Sequence, residues 1–182
     1  MNSLNKIYFL AFFFVFVNCS DSLDFNQIDD YVNKPIITSS LTYFTVLPSQ
    51  FVDSNGGVLQ NSISDIFDFE VFQNKYVRDN VVKIDFNAEI KNEYDKDVTI
   101  FVEFLDVNDS KVYELTPLNV ASNELDFTYL EEIDIVLNPN ILVTTKFKVT
   151  IELEDTGTPL NPNSTEVFEF KSSAVFYLES SL

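Results

Sequence analysis

Residues 82–91 read Val-Lys-Ile-Asp-Phe-Asn-Ala-Glu-Ile-Lys. Val82, Ile84, Phe86, Ala88 and Ile90 alternate with Lys83, Asp85, Asn87, Glu89 and Lys91, so an extended chain puts every apolar side chain on one face and every polar one on the other. A helix would scatter the same residues around its axis. The stretch is therefore a half-buried β-strand, and the pattern recurs. Ile141, Val143, Phe147, Val149, Ile151 and Leu153 form an inner face against Lys146, Lys148, Thr150 and Glu152. Phe168, Phe170, Ala174, Phe176 and Leu178 do the same near the C-terminus.

Further strands are expected over Pro35–Leu47, Asp65–Phe72, Val98–Val107 and Phe127–Leu137, with a short return strand at Lys111–Leu115. Turn-forming clusters separate them: Asp53–Gly57, Asn92–Asp97, Asn108–Ser110, Asn138–Asn140 and Asp155–Asn163. No window of a dozen residues carries a helical stripe, and single helical turns are expected only around Gln27–Val32 and Asp65. Seven to nine antiparallel strands at this spacing predict an all-β fold, one two-sheet β-sandwich of Ig-like type over residues 35–182. The segment from Val81 to Tyr113 resembles the Ig-like modules of bacterial exported proteins, although the immunoglobulin cysteine pair and buried Trp are missing.

The first residues differ in kind. Lys6 is followed by an apolar run, Ile7–Val17, that ends at Cys19, the one cysteine among 182 residues. About 11 apolar residues are too few to span a bilayer, and a cationic start, apolar run and boundary residue describe a helical secretory signal peptide over residues 1–18. Phe16-Val17-Asn18-Cys19 resembles a bacterial lipobox, with Phe16 and Asn18 where that motif usually has Leu and a small residue. The resemblance implies acylation, palmitate included, at Cys19. Ser20-Asp21-Ser22-Leu23-Asp24 is similar to the acidic export signal of Bacteroidetes lipoproteins, which implies an outer-membrane or cell-surface location. Asp21-Ser22-Leu23 also resembles the O-glycosylation motif of that phylum, with Ser22 as acceptor. An ordinary cleaved leader with a cysteine near the cut is the alternative. Residues 19–34 read as a polar, acidic tether.

Composition bounds the activity. The 29 acidic and 11 basic side chains give a net charge of −18, which excludes nucleic acid as a natural partner. Histidine is absent, so Ser-His-Asp triads, Cys-His pairs and imidazole zinc sites have no material. Three glycines cannot build phosphate-cradling loops. Carboxylate pairs such as Asp65 with Asp68, or Glu131 with Glu132, could support glycoside chemistry only if they face one another, whereas acids alternating with apolar residues normally mark a solvated sheet face. Asp106, Asn108 and Asp109 offer a weak calcium candidate, against a simpler reading as a hairpin turn. No other cofactor is expected. Phe44, Phe101, Tyr113 and Tyr129 are the aromatics to watch for an exposed binding patch, Phe101 above all.

The expectation is a non-enzymatic, lipid-anchored outer-membrane protein that serves as an interaction or accessory subunit of an envelope assembly, with a protein partner. A surface adhesin or glycan-binding module, with calcium assisting, is the alternative.

Overall fold

Alternation fixes which residues of each strand face inward, and the computed structural model shows how the strands are then stacked. It describes residues 32–52 and 57–181. In chain order the strands are β1 (Val32–Asn33), β2 (Ile36–Val46), β3 (Ser62–Asp68), β4 (Val81–Asn92), β5 (Val98–Leu105), β6 (Lys111–Glu114), β7 (Leu118–Val120), β8 (Phe127–Asp134), β9 (Lys146–Leu153), β10 (Phe168–Leu178) and β11 (Ser180–Ser181), with one six-residue helix, α1 (Lys75–Asn80). The chain divides into two compact units. Lys34–Ser180 forms the larger, and of the smaller only Val32, Asn33 and Ser181 are described. The expected leader and residues 19–31 of the expected tether, Cys19, Ser20, Asp21, Ser22 and Asp24 included, lie outside the described residues.

The larger unit is a two-sheet antiparallel sandwich, as the alternation predicts. One sheet has the order β2-β10-β4-β8 and the other β3-β9-β5-β6, with β7 also paired to β5. β6 and β7 are one edge strand interrupted at Thr116 and Pro117: β6 pairs with Glu103–Leu105 and β7 with Val98–Ile100. Pro117 has no N–H to give the ladder, which suits an edge. Numbered as eight strands along the chain, the two orders are 1-8-3-6 and 2-7-4-5. This is the jelly-roll arrangement. The Ig-like order is thereby corrected: an Ig sheet keeps consecutive strands side by side, whereas here every connection except those from β5 through β7 crosses between sheets.

Two of the expected strands and both expected helical turns differ from the structure. The expected Asp65–Phe72 strand starts earlier, at Ser62, and gives way to a 3-10 turn at Val71–Gln73. Residues 141–143, read as the start of a strand, belong to a 3-10 turn, Pro139–Val143, opened by Pro139, in which Ile141 is buried and Val143 exposed. The helical turn falls at α1, where the Asn74 side chain accepts from the N–H groups of Tyr76 (2.9 Å) and Val77 (3.4 Å). Asp65 is extended within β3, Val32 is extended, and Gln27–Tyr31 lie outside the described residues.

The core joins Ile84, Phe86, Ala88 and Ile90 of β4 and Phe168, Phe170, Ala174 and Phe176 of β10 to Val98, Ile100, Val102 and Phe104 of β5 and Phe147, Val149 and Ile151 of β9. The two open sides are sealed by different chemistry. On the β2/β3 side four phenyl rings stack from sheet to sheet: Phe170 on Phe44 at 5.3 Å, Phe44 on Phe67 at 5.9 Å, and Phe67 on Phe147 at 5.1 Å. On the β8/β6 side Glu131 points inward, in phase with Phe127, Tyr129 and Ile133. Its carboxylate accepts from the Tyr113 hydroxyl (2.8 Å), the Thr116 N–H (2.9 Å) and the Tyr129 hydroxyl.

Burial works to raise the Glu131 carboxyl, but the hydrogen bonds from Tyr129, Thr116 and Tyr113 outweigh it and hold the group below its ordinary value. The Tyr129 hydroxyl, buried beside this carboxylate, is pushed up to about 12. A carboxyl whose folded pKa is depressed adds stability that is complete above its unfolded value, about 4.3, and disappears as pH falls through the lower folded value. Glu131→Gln should therefore cost about 1–3 kcal/mol at neutral pH. Thermal melts should show the gap to the native protein narrowing as pH drops below about 5. A gap that stays constant through that window would show that the clasp does not depend on the charge.

Candidate functional site

The turn between β4 and β5, residues 93–97, lies at the same end of the sandwich as the loops 47–61, 121–126 and 154–167. Asp95 and Asp97 of this turn are exposed, but Tyr94, Lys96 and the preceding Asn92 are buried. Asn92 is 0% exposed, Tyr94 0% and Lys96 6%. The Asn92 amide donates to the carbonyls of Lys96 (2.8 Å) and Ala121 (2.9 Å), its oxygen accepts from the Tyr94 N–H (3.1 Å), and its own N–H donates to the Glu124 carbonyl (2.7 Å). The Tyr94 hydroxyl donates to the Val46 carbonyl at 2.7 Å, with its ring edge-on to Phe51. Burial pushes that hydroxyl well above the usual tyrosine range. The Lys96 ammonium donates to the Thr156 hydroxyl and, at 3.5 Å, to the Glu154 carbonyl.

Backbone ties complete the hub. The Asn123 N–H donates to the Tyr94 carbonyl (2.9 Å), Glu154 N–H to Asp97 (3.0 Å) and Glu93 N–H to Val167 (3.1 Å), while Glu93 Oε2 accepts from the Val167 N–H (2.8 Å). Asp97 Oδ1 accepts from the Ser122 N–H (2.8 Å). Residues 92–97 thus fix three loops that come from distant parts of the chain.

A cleft of about 530 Å³ opens beside this hub. Its floor is the outward row Asn119, Thr99 and Glu152, neighbours across β7, β5 and β9, and its rim carries Asn61, Asp97, Glu154 and Asp155. A second cavity of about 280 Å³ shares the Asn61–Glu154–Asp155 wall and reaches Lys96, Phe51 and Leu160. Among the described residues no cation pairs with Asp97, Glu152, Glu154 or Asp155. The cleft is thus a polar, electronegative recess on a fixed frame. Its one hydroxyl, Thr99 Oγ1, donates to Asn119 Oδ1 at 3.1 Å and so faces an amide rather than a base. Such an arrangement offers hydrogen bonds to a ligand.

The residues singled out in the sequence do not gather here. Asp106 Oδ1 accepts from the N–H groups of Asn108 and Ser110, both at 2.8 Å, and Asp109, at φ 61°, holds the Lys146 ammonium at 2.6 Å. The donors from Ser110 and Asn108 lower the Asp106 carboxyl. The Asp106-Asn108-Asp109 calcium candidate is thus placed as a hairpin turn whose oxygens serve backbone and lysine. Glu131 and Glu132 project to opposite faces of β8, and Asp65 and Asp68 are both exposed. Phe44, Tyr113 and Tyr129 pack partly against the core, while Phe101 lies half-buried on the outer face of its sheet beside Thr150. Asn92, Tyr94 and Lys96 read in the sequence as a solvated turn, and no local signal marks them as buried.

No protein-family model matches the chain, and no curated protein does either. Among solved structures the fold is similar to that of a presumed secreted protein of Parabacteroides distasonis ATCC 8503, with a TM-score of 0.50 and 16% identity over 63% of this chain and 37% of that one. The chain therefore spans little more than a third of that relative, and the likeness is one of fold. The infectious bursal disease virus T13 particle (TM-score 0.38, 14% identity, 81% of this chain and 31% of that) and the Bacillus endospore appendage protein (0.36, 11%, 80% and 91%) align more weakly and carry no argument. No helix among the described residues is long and apolar enough to cross a membrane.

Two measurements check the site. Asn92→Asp keeps the volume but replaces the two amide donors by an acceptor facing two carbonyls, and should cost about 3 kcal/mol or more. Tyr94→Phe, which orphans one carbonyl, should cost about 1–2 kcal/mol. Denaturant titration gives both values, and equal small losses would contradict the hub. Millimolar calcium should leave the melting temperature unchanged, because Oδ1 of Asp106 is already held by backbone N–H groups and Oδ1 of Asp109 by Lys146. A rise of several degrees would contradict that assignment.

Proposed function

We propose that the protein is an exported, lipid-tethered, non-enzymatic binding module of the outer membrane or cell surface, an interaction subunit of an envelope assembly whose contact surface is the four-loop end. One observation carries the reading. The chain enters the sandwich at the end opposite the cleft, since Ile36 pairs with Tyr177 while Val46 pairs with Phe168. β2 has 11 residues, which at about 3.3 Å each separates the two ends by about 35 Å. A tether acylated at Cys19 would present the cleft away from the bilayer. The hub supports the same reading, because loops held in a fixed arrangement lose little entropy on meeting a partner.

A glycan-binding role is the second reading, favoured by the half-buried Phe101 among short polar neighbours. Thr150 lies beside it, and the Thr150 hydroxyl is 2.8 Å from that of Ser64.

A photo-crosslinking residue at Asn119, in cells that make the full chain, should capture a discrete envelope protein. The same probe at Glu132, on the outer face of β8, should not. Equal labelling at both positions, or none at Asn119 together with glycan binding that Phe101→Ala abolishes, would replace the first reading with the second. Cys19→Ala should move the protein from the membrane to the soluble fraction. Retention in the membrane would contradict the anchor.

A further inference from the structure

We propose that the end of the sandwich where the chain enters is a docking surface for the lipid bilayer itself. The inference rests on the anchor reading for Cys19 and goes beyond it, because a lipid chain alone fixes distance and not orientation.

The elements at this end are set by register. Ile36 lies beside Tyr177, Tyr177 beside Lys83, and Lys83 beside Asp134, so the loop that follows Asp134 leaves the sheet where the chain arrives. Phe69 and Phe72, just past β3, meet Phe176 at 6.3 and 6.0 Å and bring the ends of the two sheets together. The three most exposed large apolar side chains among the described residues are Val136 (82%), Leu137 (78%) and Val107 (71%), and all lie on loops of this end, with Val143 exposed on the 3-10 turn nearby. They are held out rather than left loose. Asp134 Oδ1 accepts from the N–H groups of Val136 (2.7 Å) and Leu137 (3.3 Å), and the turn that carries Val107 is closed by Asp106.

Charge separates the two ends. Cations gather beside the apolar loops and pair with part of the acids there: Lys34 with Glu179 (2.6 Å), Lys146 with Asp109 (2.6 Å), Arg78 with Asp79 (3.6 Å) and Lys75 with Asp79. Around the cleft the carboxylates have no such partners. An apolar surface with cations beside it suits a zwitterionic bilayer better than an electronegative surface does. The length of chain between Cys19 and Lys34 supplies the occupant. A segment of about 15 residues is long enough to reach about 20 Å, so a bilayer holding Cys19 would lie within range of this end and weak apolar contacts would suffice.

The chain has no Trp, so Leu137→Trp in the full mature protein gives a single reporter. It is reconstituted through its own lipid into phosphatidylcholine–phosphatidylethanolamine vesicles. The indole emission should shift to shorter wavelength and be quenched at least twofold by brominated acyl chains, whereas Leu125→Trp, at the loop end, should stay solvent-like. An unshifted, unquenched Leu137→Trp protein that still floats with the vesicles overturns the docking surface and leaves the anchor intact. A chain without acyl mass that does not float overturns the anchor and the docking with it. A shift already present without lipid, growing with protein concentration, assigns the surface to a second copy and also overturns the proposal.

Discussion

Three carbonyls and a phenol govern one end of this protein. The Asn92 side chain holds the carbonyls of Lys96 and Ala121, and the Tyr94 hydroxyl holds that of Val46. A jelly roll needs such a fixture. Because nearly every connection crosses between sheets, the loops at each end come from separate parts of the chain and have no hairpin partner to fix their geometry. Apolar packing cannot do this alone, since the loop backbones carry polar groups that must be satisfied wherever water is excluded. A buried amide with two donors and an acceptor joins them at small cost in volume, and its energy depends on each partner being in place. The fixture is directional, so it sets the shape of the cleft as well as the stability of its walls.

The other closures of the sandwich differ because their surroundings differ. The β2/β3 side, where Phe44 and Phe67 face inward, is closed by stacked phenyl rings that need no partner beyond one another. The β8/β6 side has the interrupted edge at Pro117, where the Thr116 N–H lacks a ladder partner, and a carboxylate with two tyrosines fills that place. Together with the hub these closures leave the sheets rigid and the two ends chemically unlike. One is electronegative and recessed, the other carries exposed apolar side chains with cations beside them. This polarity, set along the strand direction, connects the fold to the proposal of a tethered module with its working face turned outward.

Much of the fold was legible in the sequence because burial along a strand is a local matter. Every second residue of Val81–Asn92 and Phe168–Leu178 faces the core whatever strand lies beside it, so the sheets, most strand positions and the sandwich could be read directly. Which strand neighbours which is decided by long-range packing, and alternation carries no record of it. The Ig-like order was therefore open to error where the two-sheet architecture was not. Ile141 shows a related ambiguity, since its burial fitted a strand but Pro139 set up a 3-10 turn that buries it equally well. Glu131 left a readable mark, standing in phase with Tyr129 and Ile133 on the inward side. Asn92, Tyr94 and Lys96 left none, because polar residues of a turn look solvated until the loops at 121 and 154 close over them.

Hydrogen exchange in the Asn92→Asp protein, under conditions where it stays folded, tests the central claim most directly. The amides of Asn123, on the loop 121–126, and of Glu154 and Val167, at the two ends of the loop 154–167, bond to residues 92–97. The account predicts that all three lose protection together while the amides of β9 and β10 keep theirs. Faster exchange confined to residues 92–97, with Asn123, Glu154 and Val167 unchanged, would show that the loops hold themselves and that the buried amide is not their common support.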